Sequence, residues 1–300
     1  MINGIINIYK EKGYTSHDVV ARLRGIFKQK KIGHTGTLDP EAEGVLPVCL
    51  GCATKLCDLL TDKDKEYVAV MRLGIATDTQ DMTGEAVKRG EVLCSEDEIR
   101  ETIASFTGEI MQMPPMYSAL KVNGKKLYEL AREGKTVERA KRPVTINEIE
   151  ILKIDLPLVK MRVSCSKGTY IRTLCNDIGE KLGCFGCMEE LLRTRVSVFE
   201  LKDALKLDEV EHLVKENKAE PYVLKIEDYF KDLKPIRTYE KYDVLIDNGN
   251  RVKPSQLTEN VVYPENEWVR AYRHDNTFMG IYAYNKDNAA YNPVKMFKPE

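Results

Sequence analysis

Strand-like and helix-like segments are mixed along this chain without a regular βαβ repeat, and this irregular order limits the folds that it can adopt. Residues 65–74, KEYVAVMRLG, alternate in polarity and are rich in β-branched side chains, which predicts a strand that begins near Tyr67. Residues 145–154 and 158–166 predict two adjacent strands. The pattern favours an α+β domain with a mixed, largely antiparallel sheet and flanking helices.

Three segments have the apolar spacing of amphipathic helices. The first, residues 16–31 (SHDVVARLRGIFKQKK), has Ser16 as a candidate N-cap and a basic outer face. The second begins with Ser95 and Glu98 in capping-box spacing. The third, residues 169–183, has Gly183 as its C-terminal stop. We expect these helices to flank the sheet.

The length of 300 residues suggests one large domain and one small domain. Between residues 112 and 142 the regular pattern stops, and a Pro-rich, basic stretch predicts an insertion that is either functional or disordered. Short strands with turn signals return from about Asp232 onward. We therefore assign residues 1–230 to the large domain and residues 231–300 to a small β-rich domain.

Charge is segregated along the chain, although the formal net charge is only −1. Residues 19–38 hold five basic side chains and no acid, residues 121–142 hold eight Lys or Arg and three Glu, and residues 160–172 hold four basic side chains and no acid. Residues 91–109, in contrast, hold six acids and one arginine. Segregation of this kind is the electrostatic footprint of a protein that binds a polyanion.

The segment with the most reactive side chains is residues 31–51, KIGHTGTLDPEAEGVLPVCLG, which places Asp39, Glu41 and Glu43 close together. Three such carboxylates could bind a metal ion or supply the acid and base of a glycoside hydrolase. They could also be a turn residue before Pro40 and two exposed loop acids. The residues alone leave these interpretations open. The glycines of the segment match no phosphate-binding motif.

Two CxxC pairs, Cys49–Cys52 and Cys184–Cys187, formally resemble a zinc site, but their separation along the chain is far outside the spacing of a zinc ribbon. We interpret them as small buried side chains and expect no metal. No run of 18 or more apolar residues is present, and the first residues carry charge where a signal peptide would be apolar. We expect a cytoplasmic protein with reduced cysteines and no membrane span.

Five segments in this order resemble the bacterial tRNA pseudouridine-55 synthases, which isomerise a uridine of the tRNA T-loop. The strongest similarity is HTGTLDPEAEGVLPVCLGCATK, residues 34–55, which resembles the catalytic motif of that family. The resemblance covers about residues 3 to 200, and the tail resembles a small PUA-type RNA-binding domain. The chain departs from the family at Glu11, where Pro is usual, and at Leu192, where Arg is usual. The other similar segments are residues 3–20, 65–84, 112–134 and 163–183.

The resemblance implies a pseudouridine-synthase fold with an RNA-binding insertion at residues 112–142. The implied reaction breaks the N1–C1′ bond of uridine and joins C5 to C1′, without net redox change or a group donor, so no cofactor is expected. Asp39 is then the catalytic carboxylate, either as a nucleophile or as a base. Arg172 pairs with Asp39 and keeps its pKa low. Tyr67 transfers a proton after the uracil has turned.

The implied partner is the T-arm of tRNA, bound without a guide RNA. For the oligomeric state, a monomer is our default expectation. His34 enters the loop where the target nucleotide has flipped out, Asp81 contacts a flipped base, and Leu191 packs against the uracil. The alternative is a non-catalytic protein that binds or folds tRNA, which would need neither Asp39 nor Arg172. The remaining residues expected to contact RNA are Lys10, Lys28, Lys30, Lys31, Tyr117, Ser118, Lys121, Lys125, Lys126, Arg132 and Arg142.

Overall fold

The computed structural model describes residues 1–118, 120–122 and 124–298. Its helices are α1 (Ser16–Phe27), α2 (Cys57–Thr61), α3 (Glu96–Ala104), α4 (Leu127–Arg132), α5 (Ile171–Lys181), α6 (Leu207–Lys215), α7 (Ile226–Tyr229) and α8 (Asp243–Asp247). Its strands are β1 (Gly4–Lys10), β2 (Ile32–His34), β3 (Glu43–Leu50), β4 (Lys65–Leu73), β5 (Ile75–Thr77), β6 (Ala86–Arg89), β7 (Gly108–Gln112), β8 (Lys121–Val122), β9 (Lys125–Lys126), β10 (Arg142–Asp155), β11 (Leu158–Cys165), β12 (Gly186–Val196), β13 (Phe199–Glu200), β14 (Val223–Leu224), β15 (Lys234–Arg237), β16 (Trp268–Tyr272), β17 (Phe278–Asn285) and β18 (Ala290–Met296).

One sheet of ten strands forms the centre of the large domain. Its strand order is β14-β1-β3-β12-β4-β11-β10-β7, with β2 paired to β3 and β13 paired to β12. Neighbouring strands are antiparallel except β3 and β12, which are parallel. The predicted α+β class with a largely antiparallel sheet is therefore confirmed. The parallel pair matters for function, because it places β3, which follows Asp39, beside β12, which lies much later in the chain.

Helix α1 begins one residue away from the predicted cap. The N-cap is Thr15, whose Oγ1 accepts a hydrogen bond from the Asp18 N–H at 3.1 Å, while an Asp18 carboxylate oxygen accepts one from the Thr15 N–H at 2.8 Å. The prediction of Ser16 as N-cap is wrong, because Asp18 stands three residues after Thr15 and completes a capping box with it. Ser16 is the first helical residue, and its side chain is buried.

Two apolar clusters cover the sheet and hold the helices against it. In one cluster Ile178 of α5 and Ile99 of α3 pack with Met71, Met161 and other residues of the central strands. In the other, α1 and α6 pack on β1 and β3 through fully buried aliphatic side chains. The alternating burial along β4 explains its pattern in the sequence, because successive side chains point to opposite faces.

The segment between residues 112 and 142 leaves and re-enters the sheet at one place. Gln112, the last residue of β7, is paired with Arg142, the first residue of β10. The segment contains the two-stranded β8–β9 hairpin and α4. The Gln112 side chain donates to the Tyr170 carbonyl at 3.0 Å and accepts from the Tyr170 N–H at 2.8 Å. The base of the insertion is thereby fixed to the residues that lead into α5.

The C-terminal residues form a second, four-stranded sheet in the order β15-β16-β17-β18. Val269, Tyr282 and Tyr291 belong to its own buried core. Ile281 and Phe297 belong instead to a cluster with residues of the large domain, so the two sheets share a packed interface. In the described parts of the chain, no helix has the length and apolar character needed to cross a membrane.

Candidate active site

Residues 35–42, which we call the Asp39 loop, connect β2 with β3 and are fixed on both sides of Asp39. The Leu38 N–H donates to the buried Ser16 Oγ at 3.0 Å. The Pro40 carbonyl accepts a hydrogen bond from the Gly13 N–H at 2.9 Å. The two partners, Gly13 and Ser16, lie just before and at the start of α1. The position of the loop is therefore fixed by the segment that leads into this helix.

Lys10, the last residue of β1, binds the same loop from inside the protein. Its side chain is 0% exposed, and Nζ donates to the carbonyl oxygens of Ala42 at 2.6 Å, Pro40 at 3.0 Å and Glu11 at 3.2 Å. Burial lowers the pKa of Lys10 to about 8. The prediction that Lys10 contacts RNA is wrong, because this side chain does not reach the surface.

Arg172, near the start of α5, lies between two carboxylates. Its Nη2 is 3.1 Å from Asp39 Oδ2, and its Nη1 is 3.6 Å from Asp81 Oδ2. Nη2 also donates to the Tyr117 carbonyl at 2.7 Å. The Arg172 side chain is 7% exposed and that of Asp39 is 37% exposed, so the carboxylate is open to a substrate while the guanidinium is held in the protein. The structure therefore contains the predicted pair.

The pKa of Asp39 runs against the expectation from sequence. Burial raises the pKa of its carboxyl, and the negative charge of Asp81 adds to this, while Arg172 and Lys10 lower it. The prediction that Arg172 keeps the pKa of Asp39 low is wrong in its net direction. Although 37% of the side-chain surface faces solvent, protein atoms surround the carboxylate so closely that desolvation outweighs the attraction of Arg172.

Asp81 is held by its neighbours in the turn that follows β5. Its Oδ1 accepts hydrogen bonds from the Thr79 hydroxyl at 2.8 Å, from the Thr83 N–H at 3.0 Å and from the Thr83 hydroxyl. Only 13% of the Asp81 side chain is exposed. Its main contact with the site is through Arg172, which it shares with Asp39.

Tyr67 on β4 is buried near the Asp39 loop, in the same apolar cluster as Leu38. Leu191 on β12 is partly exposed and packs against this cluster. Burial raises the pKa of the Tyr67 phenol, while the neighbouring Arg193 guanidinium lowers it. Arg193 is the residue opposite Tyr67 in the β4–β12 pair.

His34 at the end of β2 is half-buried and contacts a second histidine. Its ring centroid is 5.2 Å from that of His17 on α1, in an edge-to-face arrangement. The Gly36 N–H donates to His34 Nδ1 at 3.4 Å. Burial lowers the pKa of His34, and His17 lowers it further. Both influences favour the neutral form of the ring.

The insertion presents exposed cations at its base and tip. Lys125, Arg132 and Arg142 are exposed, and Lys126 is half-buried. Lys126 Nζ and the Arg132 guanidinium lie 5.3 Å and 5.4 Å from the centre of the Tyr128 ring. An aromatic ring flanked by cations is a surface that suits a nucleic acid.

The other predicted RNA contacts differ in how far their side chains are exposed. Lys28 and Lys30 after α1 are exposed, and Lys31 is half-buried. Tyr117 is half-buried and contacts Arg172 through its carbonyl. Ser118 is 4% exposed, so its side chain cannot contact RNA in this arrangement. The side chain of Lys121 lies outside the described part of the chain.

The other two acids of the Asp39 segment have partners of their own. Glu41 is exposed and pairs with Lys12 at 3.2 Å, and Glu43 accepts a hydrogen bond from the Tyr9 hydroxyl at 3.1 Å. Among the residues described, no group of three or more His, Cys, Asp or Glu is placed to hold a metal ion. The Cys49 thiol is buried beside Cys57, outside its CxxC pair.

The arrangement suits nucleophilic or acid–base chemistry on a base brought to the Asp39 loop. It combines one reachable carboxylate, a fixed guanidinium and a buried phenol. Sequence reasoning missed the supporting roles of Ser16, Gln112 and Arg193. Ser16 was interpreted as a helix cap. Arg193 was assigned no role, although it follows Leu192, where the family usually has Arg. Gln112 gave no signal, because its partners are backbone atoms of a distant segment.

Two family models match consecutive parts of the chain. One is described as "TruB family pseudouridylate synthase (N terminal domain)" and matches residues 24–171, and the other, "tRNA pseudouridylate synthase B C-terminal domain", matches residues 172–233. Among curated proteins, tRNA pseudouridine synthase B of Lachnoclostridium phytofermentans is 53% identical, over 99% of this chain and 100% of that protein. The protein of the same name from Clostridium acetobutylicum is 46% identical, over 93% of this chain and 95% of that protein.

Two solved structures of multicomponent complexes contain a chain with the same overall fold. A chain of a Cbf5–Nop10–Gar1 complex has a TM-score of 0.73 and 29% identity, and covers 99% of this chain and 85% of its own. A chain of an H/ACA ribonucleoprotein bound to a substrate RNA containing 2′-deoxyuridine has a TM-score of 0.71 and 27% identity, with the same coverage.

The protein is a pseudouridylate synthase, as the fold, the site around Asp39 and the relatives all indicate. It is therefore an isomerase. The N-terminal family model includes Asp39, Tyr67 and Asp81, and the C-terminal one begins at Arg172. More narrowly, the chain belongs to the TruB family, whose activity is the isomerisation of uridine in tRNA to pseudouridine. The resemblance seen in the sequence is confirmed.

Proposed function

We propose that this protein isomerises uridine 55 in the T-loop of tRNA and that Asp39 is its catalytic carboxylate. The observation that carries the proposal is the position of Asp39: it is reachable from solvent, with Arg172 fixed 3.1 Å behind it. Ser16 and Lys10 anchor the loop on either side. Relatives named tRNA pseudouridine synthase B, matched over nearly their full length, support tRNA as the substrate.

The chemistry requires an ionised carboxylate at the reacting sugar or ring. The N1–C1′ bond breaks, the uracil turns within the site, and C5 joins C1′. Asp39 acts either by attack on C1′ or C6 or by removal of a proton that starts glycal formation. Arg172 orients the carboxylate and opposes the burial that raises its pKa. Because the Arg172 side chain is buried, salt screens its charge much less than that of a surface arginine.

A uridine inside a folded loop must leave its stack before it can react. The His34 ring fills the space that the nucleotide leaves, and Asp81 contacts a flipped base. Tyr67 and Leu191, which belong to one apolar cluster beside the Asp39 loop, form the wall against which the uracil lies. Tyr67 moves the proton after the ring has turned.

The basic residues bind the phosphates of the T-arm. The insertion connects this RNA-binding surface with the reaction site. The carbonyl of Tyr117 in the insertion accepts a hydrogen bond from Arg172, so movement of the insertion reaches the catalytic pair directly. The small β-rich domain, residues 231–300, is PUA-like and adds a second contact with RNA. The cations that we assign to phosphates are Lys28, Lys30, Lys31, Lys121, Lys125, Lys126, Arg132 and Arg142.

We propose that the protein acts as a cytoplasmic monomer without a guide RNA. Action without a guide RNA is supported by the match with curated relatives named as tRNA enzymes over 100% and 95% of their length. The matching chains in the Cbf5–Nop10–Gar1 complex and in the H/ACA ribonucleoprotein are longer, and this chain covers 85% of each. Pseudouridine formation on naked tRNA without other proteins tests this part.

The test is to incubate the purified protein with an unmodified tRNA transcript and to map pseudouridine, beside Asp39→Asn. We expect product at uridine 55 alone, without added cofactor, and a loss of at least about 10³-fold in Asp39→Asn with tRNA binding retained. Glu41→Gln, an acid of the same loop, is the matched control and keeps the wild-type rate. A transcript with cytidine at position 55 gives no product.

If wild type and Asp39→Asn both bind tRNA and neither forms product, the protein is a tRNA-binding or tRNA-folding protein on this fold. Product at another uridine keeps the catalytic role of Asp39 and overturns the choice of uridine 55. A chelator added to the assay leaves the rate unchanged.

A further inference from the structure

Arg193 is a fully buried arginine that touches three parts of the site. Its side chain is 1% exposed, and on β12 it pairs with Gly44 of β3 and with Tyr67 of β4. Its Nε donates to the Val45 carbonyl at 2.7 Å. A Cβ added to Gly36 in the Asp39 loop would lie 3.9 Å from Arg193 Nη1. The guanidinium is therefore enclosed between the strand after the Asp39 loop and the strand that carries Tyr67.

The charge of Arg193 has no acidic partner. Its Nη2 is buried and has no hydrogen-bond partner, and no ion pair between described residues includes it. An arginine stays protonated even where burial disfavours the charge, unlike a lysine. Burial and then Arg193 lower the pKa of the nearby Lys65 to about 8. An unpaired buried charge of this kind costs folding free energy. The same charge would stabilise negative charge that develops beside it during the reaction.

We propose that Arg193 is a positioning residue that orients the Tyr67 phenol and stabilises negative charge on its oxygen during proton transfer. The inference rests on the role proposed above for Tyr67. After C5 has joined C1′, the ionised Tyr67 oxygen takes the proton from C5, and the C5–H electron pair forms the C5–C6 double bond. In the C1′ and glycal routes the N1–C6 double bond becomes single as its electron pair moves to N1, which takes up a proton; in the C6 route the Asp39–C6 bond breaks instead. Tyr67 then gives up the proton that it accepted, so that the isomerisation as a whole neither gains nor loses one. A fixed guanidinium beside the phenol lowers the free energy of the ionised oxygen that this step needs.

The surroundings of Tyr67 make Arg193 the main cation that favours ionisation. The titratable groups that act on the phenol are Arg193, Cys165 on β11 and Asp39; the latter two raise its pKa, as burial does. Burial also raises the pKa of the Cys165 thiol, to about 11. Cys165 and Asp39, like burial, therefore oppose the ionisation that Arg193 favours.

The test compares Arg193→Met with Arg193→Lys in single-turnover assays, with and without Tyr67→Phe. We expect Arg193→Met to slow the chemical step about 10- to 100-fold, with the Kd for tRNA within about threefold of wild type. The limb of the pH–rate profile that depends on Tyr67 should move to higher pH. The titration of Tyr67, taken as the absorbance difference at 295 nm between each protein and its Tyr67→Phe partner, should move the same way. Arg193→Lys should restore part of the rate and should bring the pH–rate limb and the Tyr67 titration part of the way back toward wild type.

Equal losses from Arg193→Met in the Tyr67 and Tyr67→Phe backgrounds, or an unmoved Tyr67 titration, would overturn the role of Arg193 and leave that of Tyr67 standing. A Tyr67→Phe enzyme with the wild-type rate would overturn both. Thermal melting checks the fold of each variant. If Arg193→Met does not fold, Arg193→Lys decides the question, because a structural role alone would leave its pH profile unchanged.

Discussion

The Nζ of Lys10 donates a 2.6 Å hydrogen bond to the carbonyl oxygen of Ala42, three residues after Asp39. Because the Lys10 side chain is completely enclosed, this bond is not exchanged for water. The position of the Asp39 carboxylate therefore depends on the end of β1.

Replacement of Lys10 by Met should loosen the Asp39 loop and slow the reaction. Misplacement of a reacting group by about 1 Å costs up to about 10²-fold in rate, so we expect a loss of about 10- to 100-fold, with tRNA binding within about threefold of wild type. Single-turnover assays and filter binding measure the two effects. The control is Lys12→Met, since Lys12 is 63% exposed. A wild-type rate in Lys10→Met would contradict the anchoring role.

The same substitution should change how stability depends on pH. Lys10 titrates at about 8 in the folded protein and at 10.5 as its ordinary value, so between these pH values the unfolded chain binds more protons. The free energy of unfolding of wild type, relative to Lys10→Met, should therefore rise by up to about 3 kcal/mol from pH 7 to pH 10.5. Denaturant titrations measure it. Lys65 has a similar shift, which cancels because both proteins contain it.

The pH profile of the reaction should respond in opposite directions to changes at Arg172 and Asp81. Burial raises the pKa of Asp39, and the enzyme should lose activity on acidification at a pH above the ordinary value of 3.8. Arg172→Met removes a charge that lowers this pKa, so its acid limb should move to higher pH. Asp81→Asn removes a charge that raises it, so its acid limb should move to lower pH. Shifts in the same direction would show that these charges do not act on Asp39.

His34→Ala should weaken tRNA binding by about 1 to 3 kcal/mol, the usual contribution of one aromatic stacking contact with a base. His34→Phe should retain most of the affinity, because it keeps the ring. His17→Ala should raise the pKa of His34, since His17 lowers it in the wild type. Titration of the ring protons by NMR measures this shift. Equal affinities for His34→Ala and His34→Phe would exclude stacking.

Three exposed cations of the insertion should contribute to the salt dependence of tRNA binding. The triple change of Lys125, Arg132 and Arg142 to Gln should reduce the slope of log Kd against log salt by roughly 2 to 3, at about 0.7 to 0.9 per phosphate contact. Arg100→Gln is the control, because Arg100 is exposed and lies among acids. An unchanged slope in the triple variant would place the RNA on another surface.

The sequence by itself determined those features that depend on neighbouring residues. Strand alternation at β4 and the capping box at Ser95 could be predicted because periodicity and short-range hydrogen bonds are local. The strand starts at Lys65, close to the expected Tyr67. The segregated charges also follow from composition along the chain. The motif around Asp39 was specific enough for a resemblance to select it over Glu41 and Glu43.

The tertiary structure alone decided which side chains meet and how far each is buried. Asp39 and Arg172 are 133 residues apart, and only the fold brings them together. Lys10 looks like any surface lysine in the sequence, yet strand pairing encloses it and turns it toward the Asp39 loop. The net direction of the Asp39 pKa could not be predicted either, because desolvation depends on every atom around a group, while the sequence reveals only that a cation is present.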